Sequence, residues 1–176
     1  MATNLGYDLL QRHPRLFPQD EPKLSFGHLD VREGWCDLVE RLCVRIEMAL
    51  QDGETFRFVG MLQKFGLLRI DWAGEVSAST RARIEEAEAL AEARSSCTCE
   101  VCGAEGEKYH ESKNVMVRCE AHAEGRPLIE ARANNRLHLV RVVQPPNPPI
   151  RAVCRYDREN DVFIDAGSST LPIEEN

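Results

Sequence analysis

No apolar run in the chain approaches ~18 residues, so the sequence offers no membrane-spanning helix. The N-terminal stretch Met-Ala-Thr-Asn-Leu-Gly-Tyr-Asp has neither a basic start nor an apolar core, which predicts a soluble protein kept in the cytoplasm. Basic charge is also short. Lys and Arg number 22 against 29 Asp and Glu, a net charge of −7. A protein that grips nucleic-acid phosphates draws most of its affinity from neutralising them, so this balance counts against that class. An even, disulfide-forming cysteine set is missing as well. The seven cysteines are odd in number and two of them, Cys36 and Cys43, fall within an apolar helical pattern. That usage fits a reducing compartment with one metal site better than an oxidised scaffold.

Reaction motifs are equally scarce. There is no Gly-x-Ser-x-Gly elbow, no phosphate-binding glycine loop and no His-Glu-x-x-His helix. The zinc-deaminase order, His-x-Glu followed by Pro-Cys-x-x-Cys, is reversed here: His122-Ala123-Glu124 follows the Cys-x-x-Cys pair, and Thr98 stands where the proline would be. His110 stands alone and makes no nuclease constellation. An enzyme is not expected.

What the sequence does contain is concentrated between Cys97 and His122. The run Cys-Thr-Cys-Glu-Val-Cys-Gly is followed by fifteen residues and then Cys119-Glu-Ala-His122. Cys99 and Cys102 are separated by two residues, as are Cys119 and His122, which makes two claws joined by a polar loop. A Cys-x2-Cys turn can aim both sulfurs at one point, and two such pairs complete a tetrahedral Zn²⁺ site. Gly103 sits where the turn after the first claw calls for positive φ. One structural Zn²⁺ per chain is predicted, held by Cys99, Cys102, Cys119 and His122, with Cys97 as a bystander. Four protein ligands leave no open position for a reacting water.

The rest of the chain reads as an α+β fold. At 176 residues and 43% hydrophobic content it can bury a core of its own, so zinc need not be the sole source of stability. A short helix is expected near 6–13, followed by irregular chain rich in proline, with His13 and His28 as surface or loop-packing residues. From 35 to 51, Trp35, Leu38, Val39, Leu42, Ile46, Ala49 and Leu50 recur at helical spacing, and Cys36 and Cys43 lie beside that stripe as buried thiols. Residues 55–72 alternate as a β-hairpin about Lys64-Phe65-Gly66. A helix follows over about 80–95, capped by Ser79 or Thr80, with Ile84, Ala87, Leu90 and Ala91 as its apolar stripe. Beyond a boundary near 123–127, Leu137–Val143 reads as strand, 144–149 as a proline-rich linker, and 150–156 with 161–166 as a second hairpin carrying His138 and Cys154 as ordinary sheet residues. The tail from Ser168 is polar and expected to be mobile. This divides the chain into a helix–hairpin–helix–zinc-knuckle domain, 1–124, and a β-rich extension, 125–176, packed on the first.

Three segments in this order resemble a known family: Gly34-Trp35 opening a helix that carries Leu42-Cys43, then Gln63-Lys64-Phe65-Gly66-Leu67-Leu68-Arg69, then the two claws. They are similar to small zinc-knuckle proteins of phages, prophages and bacterial mobile regions, in which a Lys-Phe-Gly-x-Leu-Arg hairpin precedes a helix and a Cys-x2-Cys … Cys-x2-His site. The resemblance covers roughly residues 7–123 and implies a fold and a metal but no reaction. Cys97 and the extension 125–176 depart from it.

For function, the charge distribution is the remaining guide. Residues 75–124 hold eleven acids against six bases. Glu85, Glu88 and Glu92 line one helix face, either as a solvated surface or as a surface that steers a basic partner such as a nuclease or toxin. Lys64 and Arg69 bracket the hairpin turn. They read first as a solvated turn residue and a partner for a helix carboxylate, and second as a small cationic contact spot. The expected function is a non-enzymatic, zinc-braced interaction protein of immunity, antitoxin or phage counter-defence type. The alternative is a nucleic-acid-associated zinc-ribbon accessory factor.

Overall fold

Helix α2 (Cys36–Ala49) carries the apolar stripe that its spacing predicts, and Leu38, Val39, Leu42, Cys43, Ile46 and Ala49 on it are all buried. Trp35, in the 3-10 turn Glu33–Trp35 that leads into α2, has no exposed surface. The computed structural model describes residues 4–17, 29–111, 114–128, 137–142 and 150–172. Within these, α1 (Asn4–Arg12) precedes α2 and packs Leu9 into the same core. His13, just beyond α1, is 4% exposed rather than a surface residue. Its Nδ1 lies 2.9 Å from Glu47 and its Nε2 3.2 Å from Glu40, so both ring nitrogens face carboxylates of α2. Cys43 is buried as expected, whereas Cys36 is half-buried.

The hairpin follows the predicted alternation. Strand β1 (Leu29–Asp30) runs parallel to β2 (Arg57–Lys64), which pairs antiparallel with β3 (Leu67–Ala73) in the order β1-β2-β3. A bulge between Phe58 and Gly60 interrupts the register. Lys64 pairs with Leu67, so the turn is only Phe65-Gly66, with φ of 55° and 71°. A two-residue hairpin turn of the I′ kind needs positive φ at both positions, and a bulky side chain rarely supplies it. Helix α3 (Ala78–Ser95) lies across this hairpin and α2, with Ile84, Ala87 and Ala91 in the common core. Its cap is Ser77, not Ser79 or Thr80: the Ser77 hydroxyl accepts from the Thr80 N–H at 3.3 Å, while the Ser77 N–H donates to Glu54 at 2.8 Å.

After α3 come two further antiparallel sheets. The first is ordered β5-β4-β6, from β4 (Glu107–Glu111), β5 (Asn114–Arg118) and β6 (Arg126–Pro127). The chain therefore passes the expected boundary at 123–127 while still paired to β4. The second, ordered β7-β8-β9, comprises β7 (Leu137–Val142), β8 (Ile150–Asp157) and β9 (Val162–Pro172). The expected hairpin is thus a three-stranded sheet, and β9 continues through the serine-rich stretch where a mobile tail was expected. His28, the proline-rich stretch 144–149 and the last four residues lie outside the described residues.

Tyr156, Phe163 and Cys154 on the inner face of this sheet pack against Ala89, Leu90 and Ala93 of α3 and Cys97 just beyond it. Buried Asp161, 4% exposed, locks the arrangement. It accepts from Arg45 Nη2 at 2.8 Å and from the Tyr156 hydroxyl at 2.5 Å, while Arg94 Nη2 reaches Asp37 at 3.2 Å. A buried carboxylate is tolerated only when it is paired and hydrogen-bonded in this way.

Candidate metal centre

The first claw begins where α3 ends. A bridge between Thr98 and Glu105 closes the loop. Within it, Cys99 N–H donates to Ala104 O at 2.8 Å and Gly103 N–H to Cys99 O at 2.9 Å. Gly103 has φ of 77°, the conformation its position calls for. The second claw follows β5, where the 3-10 turn Glu120–His122 folds back so that His122 N–H donates to Cys119 O at 3.0 Å.

These turns bring one ligand atom from each of Cys99, Cys102, Cys119 and His122 within 4.8 Å of one another. Cys102 and Cys119 sulfurs are 3.6 Å apart, and His122 Nδ1 lies 3.2 Å from Cys119 Sγ and 3.8 Å from Cys99 Sγ. Metal–sulfur bonds of ~2.3 Å and a metal–nitrogen bond of ~2.0 Å at tetrahedral angles put sulfurs about 3.8 Å apart and nitrogen about 3.5 Å from sulfur. The donor set can hold a metal ion. Burial pushes the Cys99 thiol up, but the N–H groups of Cys119, Cys102 and Val101 outweigh it and bring the thiol down to about 6. A thiol so placed is largely thiolate at neutral pH, the form that binds metal.

The site is clamped from several directions that the sequence did not reveal. Gly34 N–H donates to Glu100 O at 3.0 Å, and the Trp35 indole N–H donates to Thr98 O at 2.9 Å. A Cβ on Gly34 would meet Cys99 O at 2.3 Å, so only glycine permits this approach. Glu100, between the two sulfurs of the first claw, is 2% exposed. Its carboxylate accepts from Val117 N–H at 2.9 Å and Gln63 Nε2 at 3.1 Å, and pairs with Arg118 Nη1 at 3.1 Å. From the C-terminal sheet, Arg158 Nη2 donates to Gly103 O at 3.1 Å. The one hint in the sequence was a glycine placed directly before a tryptophan.

Cys97 points elsewhere. Its sulfur lies 3.4 Å from Arg94 O and 3.7 Å from Ala93 O, beside the last turn of α3, and it is not in the four-residue group. Cys97→Ser is expected to keep a full complement of metal in elemental analysis, and loss of metal would mean that Cys97 is a ligand.

The other singled-out residues are dispersed. Lys64 is exposed, its ammonium 5.9 Å from the Phe65 ring centroid. Arg69 pairs with Glu92, as the plainer of the two sequence readings expects. Glu88 departs from the picture of a solvated acidic face, because α3 presses it against β3. It is half-buried beside the Trp72 indole, and its Oε1 has neither solvent contact nor a hydrogen-bond partner. It borders a cleft of about 400 Å³ lined also by Asp71, Trp72, Arg81 and Glu85. Burial raises the Glu88 carboxyl to about 7, with Trp72 and Arg81 opposing and Glu85 and Asp71 adding to the rise.

That shift has a sign. In the unfolded chain Glu88 releases its proton near 4.5, in the folded chain only near 7. Between those values the native state binds more protons, so stability falls as pH rises through the window and the penalty is complete above it. Glu88→Gln is expected to stabilise the protein by about 1–2 kcal/mol at pH 8, a figure discounted for partial exposure, and to be nearly neutral at pH 4. Thermal melts at the two pH values check this; an equal effect at both would exclude titration of Glu88.

No family model, curated protein or solved structure matches the chain. Among the described residues no helix is long and apolar enough to cross a membrane.

Proposed function

We propose that Cys99, Cys102, Cys119 and His122 hold one structural Zn²⁺, and that the protein is a non-catalytic module that binds and modulates or neutralises a protein partner. Immunity, antitoxin and phage counter-defence proteins are of this kind. The observation that carries the reading is closure of the site. Four protein donors at tetrahedral spacing fill the coordination shell, and their surroundings, Gly34, Trp35 and Glu100, tie other elements together rather than shape a substrate cavity. A rigid scaffold loses little entropy on docking, which suits an interaction role. The acidic charge of residues 75–124 favours a basic partner, although on the α3 face Glu92 is paired with Arg69 and Glu88 is half-buried.

A second reading rests on Phe65. It is 63% exposed at the hairpin tip beside Lys64, an aromatic and a cation together, which suits stacking on a single-stranded base. One experiment separates the two. The zinc-loaded chain is purified from its native cells with and without nuclease treatment. A stoichiometric protein partner that survives nuclease supports the first reading, and salt-sensitive nucleic acid supports the second. The closed site is tested separately by Co²⁺ substitution: its visible absorption should not change on adding azide or cyanide, which would bind an open catalytic metal.

A further inference from the structure

We infer that the Cys102–Cys119 edge of the metal site is a modification site for hydroperoxides, which oxidise it to a disulfide and release the metal. This rests on the zinc reading above and goes beyond it. The four donors are unequally protected. Cys99 has no exposed surface, whereas Cys102 is exposed and Cys119 half-buried. The two accessible sulfurs are also neighbours, 3.6 Å apart, so closing them to a bond of ~2.05 Å needs only a short movement once the metal no longer holds them. Of the other thiols, Cys43, Cys97 and Cys154 are buried, the Cys97 sulfur lying against helix carbonyls, and Cys36 is half-buried, so Cys102 is the one exposed cysteine. Access therefore selects Cys102 as the first thiolate to react.

The chemistry balances in two displacements. The Cys102 thiolate attacks one peroxide oxygen, the O–O bond breaks, and the leaving oxide takes a proton to become water or an alcohol. Cys102 is then a sulfenic acid. The Cys119 thiolate attacks that sulfur, the S–O bond breaks, and hydroxide leaves with a second proton as water. Two thiolates have lost two electrons, the peroxide has gained two, and two protons have come from solvent. Only Cys99 and His122 then face the metal, too few donors to retain it. Because Arg158 of the β8–β9 turn holds Gly103 O at 3.1 Å, loosening of the first claw reaches the C-terminal sheet directly.

The test uses the full-length, zinc-loaded chain and hydrogen peroxide as the probe. Zinc release is followed with a chromogenic chelator, and the disulfide is mapped by mass spectrometry after alkylation of remaining thiols. One zinc released per Cys102–Cys119 disulfide is expected, with reloading after a dithiol reductant and added Zn²⁺. Cys97→Ser, which is not a ligand, should release zinc within about twofold of the parent rate. A zinc-loaded chain that keeps metal and thiols under peroxide sufficient to oxidise free glutathione overturns this inference alone. So does a disulfide mapped to Cys97. A chain that takes up no zinc overturns the zinc reading, and this inference with it.

Discussion

Cys119→Ser is expected to empty the metal site and lower the melting temperature by about 6–20 °C. The reason is topological. The two claws come from separate segments, one closing α3 and the other ending β5, and the bound ion would be their direct covalent-strength link. Loss of the ion leaves three donors, two of them thiolates that repel each other once the charge between them is gone. The chain will not unfold outright, because the core of Leu38, Leu42, Ile46, Ile84 and Met61 lies in other elements and needs no metal. The expected outcome is therefore intermediate: far-UV dichroism close to the parent, no zinc by elemental analysis, and a melt displaced by the few kcal/mol that a partly redundant link supplies. At about 2–4 °C per kcal/mol for a chain of this size, a 3–5 kcal/mol loss gives the shift stated. Cys99→Ser should do at least as much, since that thiol is fully buried. Full zinc retention with an unchanged melt in both variants would remove the metal assignment.

How far the sequence discloses the molecule depends on the range of the interaction involved. Helix α2, the hairpin β2–β3 and the clustering of Cys99, Cys102, Cys119 and His122 are legible because each is written in spacing: a period of 3.6, a period of 2, and paired gaps of two residues. The α3 cap lies two or three residues before the expected Ser79 or Thr80, because Ser77, Ser79 and Thr80 are equivalent as local signals. Contact between Ser77 and Glu54, twenty-three residues away, selects among them. Glu88 looked solvated because helical periodicity reports which side a residue occupies and not what lies against it; Trp72, on β3, covers that side. His13 follows the loop-packing half of its reading rather than the surface half, and only the fold shows that it packs between two carboxylates of α2. Strand β9 runs further than the sequence suggests: Gly167, Ser168 and Ser169 carry little strand propensity and fall in an irregularity of the β8–β9 register, but Thr170, Leu171 and Pro172 beyond them pair with Ala152, Arg151 and Ile150. In each case a long-range contact overrides a local signal.

The deepest such contact is at Glu100, and removing its carboxylate should have the second large effect. Glu100→Ala is expected to cost about 3–5 kcal/mol, because it strands a buried guanidinium. Arg118 is 6% exposed; its Nη1 also donates to Val117 O at 3.0 Å, but its charge is balanced at close range by Glu100. Arg32 lies 3.9 Å from the same carboxylate and is exposed, so it can turn to water at little cost. The Val117 N–H would lose its side-chain acceptor, and Gln63 would keep only Val115 O, at 2.6 Å. The double variant Glu100→Ala/Arg118→Met separates charge from packing. If the uncompensated guanidinium dominates, the double variant recovers much of the loss by denaturant titration, since an apolar replacement of both partners is often near neutral. If the double variant is no better than the single one, the carboxylate acts chiefly as an acceptor for Val117 and Gln63. Zinc readout adds a further discrimination. Glu100 lies between Cys99 and Cys102, and its bonds fix the first claw to β5, so either variant should release zinc faster to a competing chelator without lowering the bound stoichiometry. A single variant with parent-like stability and metal off-rate would mean that Glu100 is not what joins the knuckle to the sheet.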